Sequence, residues 1–305
     1  MKISSNNEWD PLREIIVGTA TNANWPQHDP VFRAEEKTTL WKDTPLPAGP
    51  VPQWIVDETN EDLSGLCDIL QTAEVIVHRP TNMDFVALDG MYNYCPRDRL
   101  LIAGDVVVDT NMHYPCRNVE TQALQAVMQG NQVLEMPKES DFVLDAANVC
   151  RLNDTLLYLE SSSGNRAAAV WLQAQFPDIR IELCNFYAGV HIDSTVVPLR
   201  EGLVMLNSSR VTPATCPQVF AQWDKIYVDD VVPQGFYQYP YASKWIAMNM
   251  LVVDPHTVIV DRHQTDLIRK LEQWSFTVIP LELRHSRTLG GGFHCVTLDT
   301  WREHD

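Results

Sequence analysis

Short apolar segments alternate with longer amphipathic ones along the chain in a recurring order. One clear case is a hairpin of residues 149–152 and 156–159, followed by a helix over 165–175 and a strand over 179–183. Short apolar runs bounded by turn residues are typical of strands, and apolar residues at every third or fourth position indicate an amphipathic helix. The order hairpin, helix, single strand predicts a ββαβ unit.

The same order recurs several times at broadly similar spacing. No residue-level repeat is visible, so the prediction of repeated ββαβ units depends on the hydrophobic pattern. Residues 19–53, rich in Asn, Pro and Thr, predict a long irregular surface excursion. Elsewhere the pattern predicts strands at 14–18, 74–77, 133–135, 226–228 and 277–281, helices at 57–70, 118–129, 217–223 and 264–274, and hairpins at 100–103/106–108, 195–199/203–206 and 248–253/258–260.

Polar side chains reappear at one point of each predicted unit, the loop that precedes the hairpin. Asp98, Asp145, His191 and Ser243 lie in four such loops, and Cys295 lies in the last. Equivalent loops of repeated units meet around a common axis. We therefore expect these side chains to converge in space.

A run of three glycines, Gly290-Gly291-Gly292, stands just before Cys295. Consecutive glycines allow backbone conformations closed to other residues and a close approach of neighbouring groups. The chain has 13 glycines in 305 residues, so the run reflects a local requirement. A cysteine thiolate is a strong nucleophile, which makes Cys295 a catalytic candidate. The alternative is a flexible turn beside a buried structural cysteine.

Composition narrows the class of protein. With 305 residues, 45% hydrophobic and 21% charged, the chain is globular. Because the segments on both sides of 19–53 share one architecture, we predict a single domain over 1–305. The formal net charge of -17 argues against a nucleic-acid partner, since phosphates attract basic proteins. Such acidity mainly favours solubility, and it would suit a cationic small substrate.

The seven cysteines include no Cys-x-x-Cys pair, and their number is odd. This favours reduced thiols in a cytoplasmic protein over a disulfide framework or a zinc site. The N-terminal residues contain no apolar signal segment, and no apolar run approaches 18 residues. We therefore expect neither secretion nor a membrane span.

Four motifs stand in order along the chain: Asp145-Ala146-Ala147, His191-Ile192-Asp193, Ser243-Lys244-Trp245 with Met248-Asn249, and the stretch from Gly290 to Cys295. Together they make the chain resemble the amidinotransferase family, which includes glycine amidinotransferase and the inosamine-phosphate amidinotransferases. The glycine-rich turn is a weak signal alone, whereas all four in this order are highly specific. The similarity covers nearly the whole chain, from Asn7 onward. It implies an α/β fold, a five-unit pseudo-symmetric α/β propeller of ββαβ modules with a central active site.

The resemblance also implies roles for individual residues. Cys295 matches the nucleophile that becomes an amidino-cysteine, His191 the general acid/base, and Asp145 its carboxylate partner. The implied substrate-binding residues are two carboxylates for the arginine guanidinium, Asp98 and Asp193, and two groups for the donor's carboxylate end, Arg210 and Ser243.

The chemistry explains why such residues are needed. A guanidinium is planar, cationic and a poor electrophile, so carboxylates such as Asp98 and Asp145 would hold it flat before a nucleophile. Cys295 would attack as a thiolate, and His191 would protonate the departing amine. The acceptor amine would then discharge the amidino-cysteine. This ping-pong route requires neither a metal nor a cofactor.

Some positions depart from the family's pattern. Ala242 stands where the family often has a serine, and Asn148 replaces a second aspartate common after Ala147. The loop before His191 and the segment between Glu120 and Asp145 are shorter than in glycine amidinotransferase. These departures affect the acceptor more than the chemistry, and the shorter loops predict an acceptor larger than glycine.

Each candidate residue also has a structural interpretation. Asp145 would ordinarily be a turn or cap residue, His191 a satisfied or surface histidine, Arg210 a solvated charge and Ser243 a helix N-cap. We leave His294 out of the catalytic group because adjacent residues of an extended chain point to opposite faces. The other six cysteines are predicted to be core thiols.

Three functions follow. The first is an amidinotransferase that moves the amidino group of L-arginine to a primary-amine acceptor and releases L-ornithine. The second is a guanidino hydrolase, a deiminase or dihydrolase, with water as acceptor. The third is an inactive relative that acts as a binding protein. The acceptor stays open between glycine, lysine, a longer diamine-like acid and an intermediate of specialised metabolism, and the resemblance suggests a homodimer.

Overall fold

Five three-stranded sheets share one internal order. The structure, a computed structural model, describes residues 1–38, 45–138, 141–187 and 191–304. In every one of these sheets the middle strand pairs antiparallel with one neighbour and parallel with the other. The parallel strand follows the middle strand along the chain through a crossover. This arrangement confirms the predicted five-unit α/β propeller.

We number the units 1 to 5 in the chain order of their middle strands. For each unit the three strands are given in the order antiparallel strand, middle strand, parallel strand. A separate two-stranded pair, Asn24–Trp25 with Gly49–Pro50, lies in the crossover of unit 1. The strands are Thr297–Arg302, Leu12–Val17 and Ile76–His78 in unit 1; Leu100–Ala103, Val106–Asp109 and Gln132–Glu135 in unit 2; Val149–Leu152, Thr155–Leu159 and Arg180–Cys184 in unit 3; Val196–Arg200, Leu203–Asn207 and Asp224–Val228 in unit 4; and Leu251–Asp254, Thr257–Asp261 and Thr277–Leu281 in unit 5.

Helical segments occur in the crossovers and in the turns that precede the antiparallel strands. Within the described ranges, no helix is both long and apolar enough to cross a membrane. The α-helices are Pro30–Thr38, Gln53–Thr72, Pro96–Arg99, Gln125–Met128, Arg166–Gln175, Thr265–Gln273 and Ser286–Leu289, and the 3₁₀ helices are Pro115–Leu124, Ala146–Asn148, Gln218–Phe220 and Lys244–Met248.

The prediction of an irregular excursion over 19–53 was wrong in one part, because Pro30–Thr38 is a helix. The side chain of Asp29 accepts hydrogen bonds from the backbone N–H groups of Val31 and Phe32, as an N-cap does. Pro30 therefore occupies the first helical turn, where proline is favoured. The proline density of this segment had suggested only breaks.

Two other predicted helices differ in the structure. The segment predicted as a helix over 118–129 is mostly the 3₁₀ helix Pro115–Leu124, in which buried Arg117 and Glu120 bond each other. The segment over 217–223 contains only the three-residue turn Gln218–Phe220. Pro217 and the β-branched Val219 disfavour a longer helix there, and hydrophobic spacing alone did not reveal this.

Burial distinguishes inner from outer strands. All residues of Val149–Leu152 and Thr155–Leu159 in unit 3 are buried, whereas Arg180–Cys184 has exposed and half-buried residues. Unit 2 shows the same contrast between its hairpin and Gln132–Glu135. Strands with both faces buried form near-continuous apolar runs, as these hairpins do. The hairpins therefore form the interior, and the loops that lead into them lie deep in the protein.

The two ends of the chain complete unit 1. The C-terminal strand Thr297–Arg302 pairs antiparallel with Leu12–Val17. The hairpin of this unit is thus assembled from opposite ends of the sequence. Cys295 lies two residues before the closing strand and occupies the position at which the other units carry their pre-hairpin loops.

A buried ion network joins the units. Asp299, on the closing strand, pairs with Arg97 at 2.5 Å, with Arg151 at 2.9 Å and with Arg302 at 2.5 Å. Arg151 also pairs with Glu8 at 2.6 Å. Burial disfavours the ionised form of Asp299, but the three arginines hold its pKa well below the usual range. We name these five residues the axial ion network.

Replacing Asp299 with asparagine tests this network. The substitution keeps the shape but leaves buried guanidinium groups without their counter-charge, so we expect unfolding to become easier by about 3–5 kcal/mol. Urea denaturation measures the change. Asp266→Asn is the matched control, because the Asp266–Arg269 pair is mostly exposed and should contribute little. Equal effects of the two substitutions would contradict the importance of the network.

Candidate active site

The turns that lead into four of the five hairpins bring the candidate side chains together. Asp98 lies in the short helix before unit 2, and Asp145 immediately precedes the 3₁₀ turn before unit 3. His191 and Asp193 lie before unit 4, and Cys295 lies before the closing strand of unit 1. All five side chains are buried or half-buried. The expected convergence of pre-hairpin loops therefore holds for these residues.

The imidazole of His191 lies at the centre of the group. Its Nε2 is 3.0 Å from Oδ2 of Asp145, and its Nδ1 is 3.7 Å from Oδ1 of Asp98. A carboxylate oxygen of Asp98, a ring nitrogen of His191 and the sulfur of Cys295 all lie within 4.8 Å of one another. Asp145 therefore orients the ring, and Nδ1 faces Asp98.

The electrostatic surroundings keep His191 protonated. Burial opposes a positive charge, but the nearby carboxylates of Asp98 and Asp145 raise the pKa of His191 well above its usual value. Burial alone would raise the pKa of Asp145, but the hydrogen bond to His191 lowers it. Oδ1 of Asp145 also accepts a hydrogen bond from the backbone N–H of His113 at 2.8 Å. The resting pair is thus an imidazolium beside a carboxylate, ready to donate a proton.

Asp98 has one oxygen satisfied and one not. Its Oδ2 accepts a hydrogen bond from Nη1 of Arg117 at 2.9 Å. Its Oδ1 is buried and has no hydrogen-bond partner among the described residues. Burial raises the pKa of Asp98 despite the neighbouring His191 and Arg117. A buried acceptor without a donor is costly, so this oxygen is suited to receive an N–H group from a bound molecule.

Asn249 and Asp193 contact the sulfur of Cys295. Nδ2 of Asn249 donates to Sγ at 3.1 Å, and Sγ lies 3.1 Å from Oδ2 of Asp193. The side-chain oxygen of Asn249 also accepts the backbone N–H groups of His294 and Cys295, at 3.0 and 2.9 Å. Asn249 thereby fixes both the backbone and the sulfur of the nucleophile candidate.

The side chains around Cys295 favour its thiol form. Contact with the thiol of Cys95, burial and the charge of Asp193 raise the pKa of Cys295 well above its usual value. A positive charge bound between the carboxylates would oppose these effects and lower the pKa. A cation bound there would therefore favour the thiolate of Cys295.

The glycine run has two specific uses. Gly290 has φ of +80° and ends the helix Ser286–Leu289 in a left-handed conformation. A Cβ atom at Gly291 would lie 2.5 Å from Sγ of Cys95 and 3.3 Å from Cβ of Cys295. The close packing of Cys95 and Cys295 around Gly291 thus requires glycine there.

His191 adopts an unusual backbone conformation, with φ of +57°. Such values are uncommon for residues other than glycine and need support from the surroundings. The side-chain oxygen of Asn148 accepts the backbone N–H of His191 at 2.9 Å, and the hydroxyl of Tyr187 bonds its carbonyl oxygen. Asn148, a departure from the family's pattern, therefore holds the imidazole in place.

Comparisons with known proteins assign the chain to a family. No family model matches the chain. Inosamine-phosphate amidinotransferase 1 of Streptomyces griseus is 41% identical over 336 residues, covering 98% of this chain and 97% of the relative. The chain belongs to the amidinotransferase family. The resemblance inferred from the four motifs is confirmed.

Solved amidinotransferase structures extend the similarity to the fold. The inosamine-phosphate amidinotransferase structure from Streptomyces griseus superposes with a TM-score of 0.91 at 39% identity, covering 99% of this chain and 97% of the other. An amidinotransferase of the saxitoxin biosynthetic pathway from Microseira wollei gives a TM-score of 0.87 at 26% identity, covering 99% and 98%. The propeller of this amidinotransferase is therefore the fold of its relatives.

Two predicted substrate-binding residues of the amidinotransferase, Arg210 and Ser243, have hydrogen-bond partners other than the five converging side chains. Nη1 of Arg210 donates to Thr195 at 2.7 Å and to Ser194 at 3.3 Å, and its guanidinium stacks on the ring of Tyr187. Ser243 is exposed and accepts the backbone N–H of Trp245, so it is the N-cap of Lys244–Met248. Throughout the described part of the chain, neither forms a hydrogen bond to the five buried residues.

Sequence reasoning missed four contributors to this site. Asn249 was quoted as part of a motif without a role, and Asn148 was noted only as a departure. Cys95 was placed among the core thiols, but it lies against the nucleophile candidate. His294 was set aside because an extended chain would turn it away, whereas residues 293–296 form a turn and His294 contacts Asp193. Only the motif around Asn249 gave a usable signal.

A metal is compatible with the donor atoms on distance alone. Asp98, His191 and Cys295 form a group of the kind that could hold an ion, and cysteine, histidine and carboxylate ligands suit Zn²⁺. The same three side chains form the nucleophile, imidazole and carboxylate of the amidinotransferase resemblance. That the reaction requires neither a metal nor a cofactor stays a prediction.

Replacing Cys95 with alanine tests its effect on the sulfur. Because the Cys95 thiol raises the pKa of Cys295, the variant should shift the pH dependence of Cys295 alkylation toward lower pH. The rate of iodoacetamide labelling, followed at the Cys295 peptide by mass spectrometry between pH 6 and 10, measures the shift. Cys216→Ala, at a half-buried cysteine in unit 4, is the control and should leave the profile unchanged. An unshifted profile for Cys95→Ala would refute the coupling.

Proposed function

We propose that this amidinotransferase moves the amidino group of L-arginine, through an amidino-cysteine at Cys295, to a primary-amine acceptor and releases L-ornithine. One observation carries the proposal: the sulfur of Cys295, the imidazole of His191 and the unpartnered Oδ1 of Asp98 converge in one buried site. A guanidinium supplies both the N–H donor that Asp98 lacks and an electrophilic carbon for the sulfur.

Charge and shape favour a guanidinium as the bound group. The carboxylates of Asp98, Asp145 and Asp193 surround the site, and His191 is the cation placed between Asp98 and Asp145. A planar guanidinium bonded at its edges by Asp98 and Asp193 would present its carbon to Cys295. Burial strengthens these interactions because little water screens them. We assign the carboxylate end of arginine to Arg210 and Ser243, the roles that the family resemblance implies for them.

The first half-reaction forms the covalent intermediate. The cationic donor lowers the pKa of Cys295, and the thiol proton leaves to solvent. The thiolate attacks the guanidinium carbon and a carbon–sulfur bond forms. His191 gives its proton to the nitrogen of the departing chain, the carbon–nitrogen bond breaks, and ornithine leaves. Asp145 keeps the imidazole oriented throughout.

The second half-reaction returns the enzyme to its starting state. The acceptor amine enters the space left by ornithine and attacks the amidino carbon. His191, now neutral, takes a proton from that amine, and the carbon–sulfur bond breaks. Cys295 is released as a thiolate beside Asn249, whose N–H group donates to it, and takes up a proton from solvent to restore the thiol. Water would compete at this step, so a bound acceptor should exclude it.

An aminocyclitol phosphate is the first acceptor to test. The relative with 41% identity is an inosamine-phosphate amidinotransferase by name. The shorter loops noted in the sequence also suit an acceptor larger than glycine. A competition between an aminocyclitol phosphate, glycine and lysine, each supplied with arginine, measures the preference. Glycine as the best acceptor would refute this part of the proposal.

Mass spectrometry of the intact protein tests the covalent step. After incubation with arginine and no amine, we expect one added amidino group, located on Cys295, and one equivalent of ornithine. Cys295→Ser should show neither, while the matched control Cys216→Ser should behave as the unmodified protein. Citrulline or continuous ornithine release without an amine would instead support the guanidino hydrolase. Turnover that survives in Cys295→Ser would refute both.

A substitution of His191 separates chemistry from binding. Asparagine tolerates positive φ, so His191→Asn should fold while losing the proton donor. We expect single-turnover ornithine release to slow by about 10²–10⁴-fold, with arginine still bound. Rapid-quench assays measure the rate of ornithine release, and calorimetric titration measures the binding of arginine. A variant that releases ornithine at the original rate would exclude His191 as the general acid.

A further inference from the structure

The ring of His294 bridges two buried carboxylates. Its Nδ1 lies 2.9 Å from Oδ2 of Asp193, and its Nε2 lies 3.2 Å from Oε2 of Glu8. The backbone N–H of His294 is held by Asn249. Both ring nitrogens therefore have partners of the same kind, and the ring cannot rotate without losing them.

This arrangement requires two N–H groups on the ring. An ionised carboxylate only accepts hydrogen bonds, and a neutral imidazole has a single N–H donor. Glu8 is ionised because Arg151 and His294 hold its pKa well below the usual value against the effect of burial. Asp193 is ionised too, since the bond to His294 outweighs burial and brings its pKa to about 2. His294 must then be an imidazolium to satisfy both partners.

Charged and titratable groups surround His294. They come from each packed element: Asp193 before unit 4, Glu8 from the N-terminal segment, Arg97 from the short helix before unit 2, and Cys295 next in the chain. Burial and Arg97 oppose the charge, yet the two carboxylates raise the pKa of His294. The other walls of the cavity beside the ring are largely apolar, including Val149, Val196 and Val252, so screening is weak.

Asp193 shares one oxygen between His294 and the nucleophile candidate. The oxygen that faces Nδ1 of His294 is the same Oδ2 that lies 3.1 Å from Sγ of Cys295. A lone carboxylate at this distance would oppose formation of a thiolate. The imidazolium on the far side compensates for that charge while keeping the carboxylate fixed beside the sulfur.

We propose that His294 is a positioning residue that stays an imidazolium, holds Asp193 beside Cys295 and ties the active site to the axial ion network through Glu8. The inference deepens the proposed transfer reaction, since it concerns how the same sulfur becomes a thiolate. His294 itself exchanges no proton with substrate in this role. It sets the charge and position of Asp193, which touches the nucleophile.

Thiol reactivity tests the charge effect without arginine. Glutamine at position 294 keeps a hydrogen-bond donor but carries no charge, so His294→Gln should slow iodoacetamide labelling of Cys295 at pH 7.5 by about tenfold. Adding Asp193→Asn to this variant removes the uncompensated carboxylate and should restore most of the rate. His78→Gln, at a half-exposed histidine bonded to the single carboxylate of Glu14, is the matched control and should change nothing.

The double variant separates a charge effect from a loss of structure. If His294 were only a structural cross-link, His294→Gln would lower the urea midpoint and Asp193→Asn would not rescue labelling. Labelling of a folded His294→Gln protein at the original rate would also overturn the proposal. If that variant fails to fold, NMR of the unmodified protein decides the question.

Nitrogen NMR observes the ring directly. In ¹³C,¹⁵N-labelled unmodified protein, we expect both ring nitrogens of His294 to carry protons from pH 6 to pH 9, with their signals assigned through bonds to the backbone of residue 294. A singly protonated ring at pH 8 would overturn the proposal. Neither the labelling nor the NMR measurement uses arginine. If the proposed transfer reaction is wrong, no amidino-cysteine will be found after incubation with arginine, and the labelling and NMR results can still be interpreted.

Discussion

The pairing of the two ends of the chain is the constraint on which the site depends. When Thr297–Arg302 aligns with Leu12–Val17, Asp299 comes between Arg97 and Arg151, which belong to units 2 and 3. The same pairing places Cys295 beside Asp193 and Asn249. One strand pairing therefore closes the ring, buries the axial ion network and positions the sulfur. The closing strand thus carries a member of the axial ion network and lies two residues after the candidate nucleophile.

Charge balance supports the proposal that the site binds a cation. Asp98, Asp145 and Asp193 are buried close together, and two histidines lie among them. His191 faces Asp98 and Asp145, His294 faces Asp193, and one oxygen of Asp98 is left over. Because screening is weak in the interior, each unmatched charge or acceptor has a large effect. A planar cation supplies the charge and the hydrogen-bond donor that the group lacks.

Much of the fold follows from the local pattern. The hairpins at 149–152/156–159 and 100–103/106–108 and the helix at 165–175 agree closely with the structure. Elements that depend on caps or distant partners were harder to predict. The helix Pro30–Thr38 starts at an Asp29 cap hidden in a proline-rich stretch, and the 3₁₀ helix Pro115–Leu124 is shaped by buried Arg117. Neither influence leaves a periodic signal.

The sequence by itself determined the unit pattern, the family and the residues that were brought together, because hydrophobic spacing and short motifs are local properties. Only the tertiary structure decided the surroundings of those residues: Cys95 against Cys295, Asn148 beneath His191, and His294 between Asp193 and Glu8. These contacts join positions up to 286 residues apart in the chain. Protonation and orientation depend on such neighbours, which pack together only once the ring has closed.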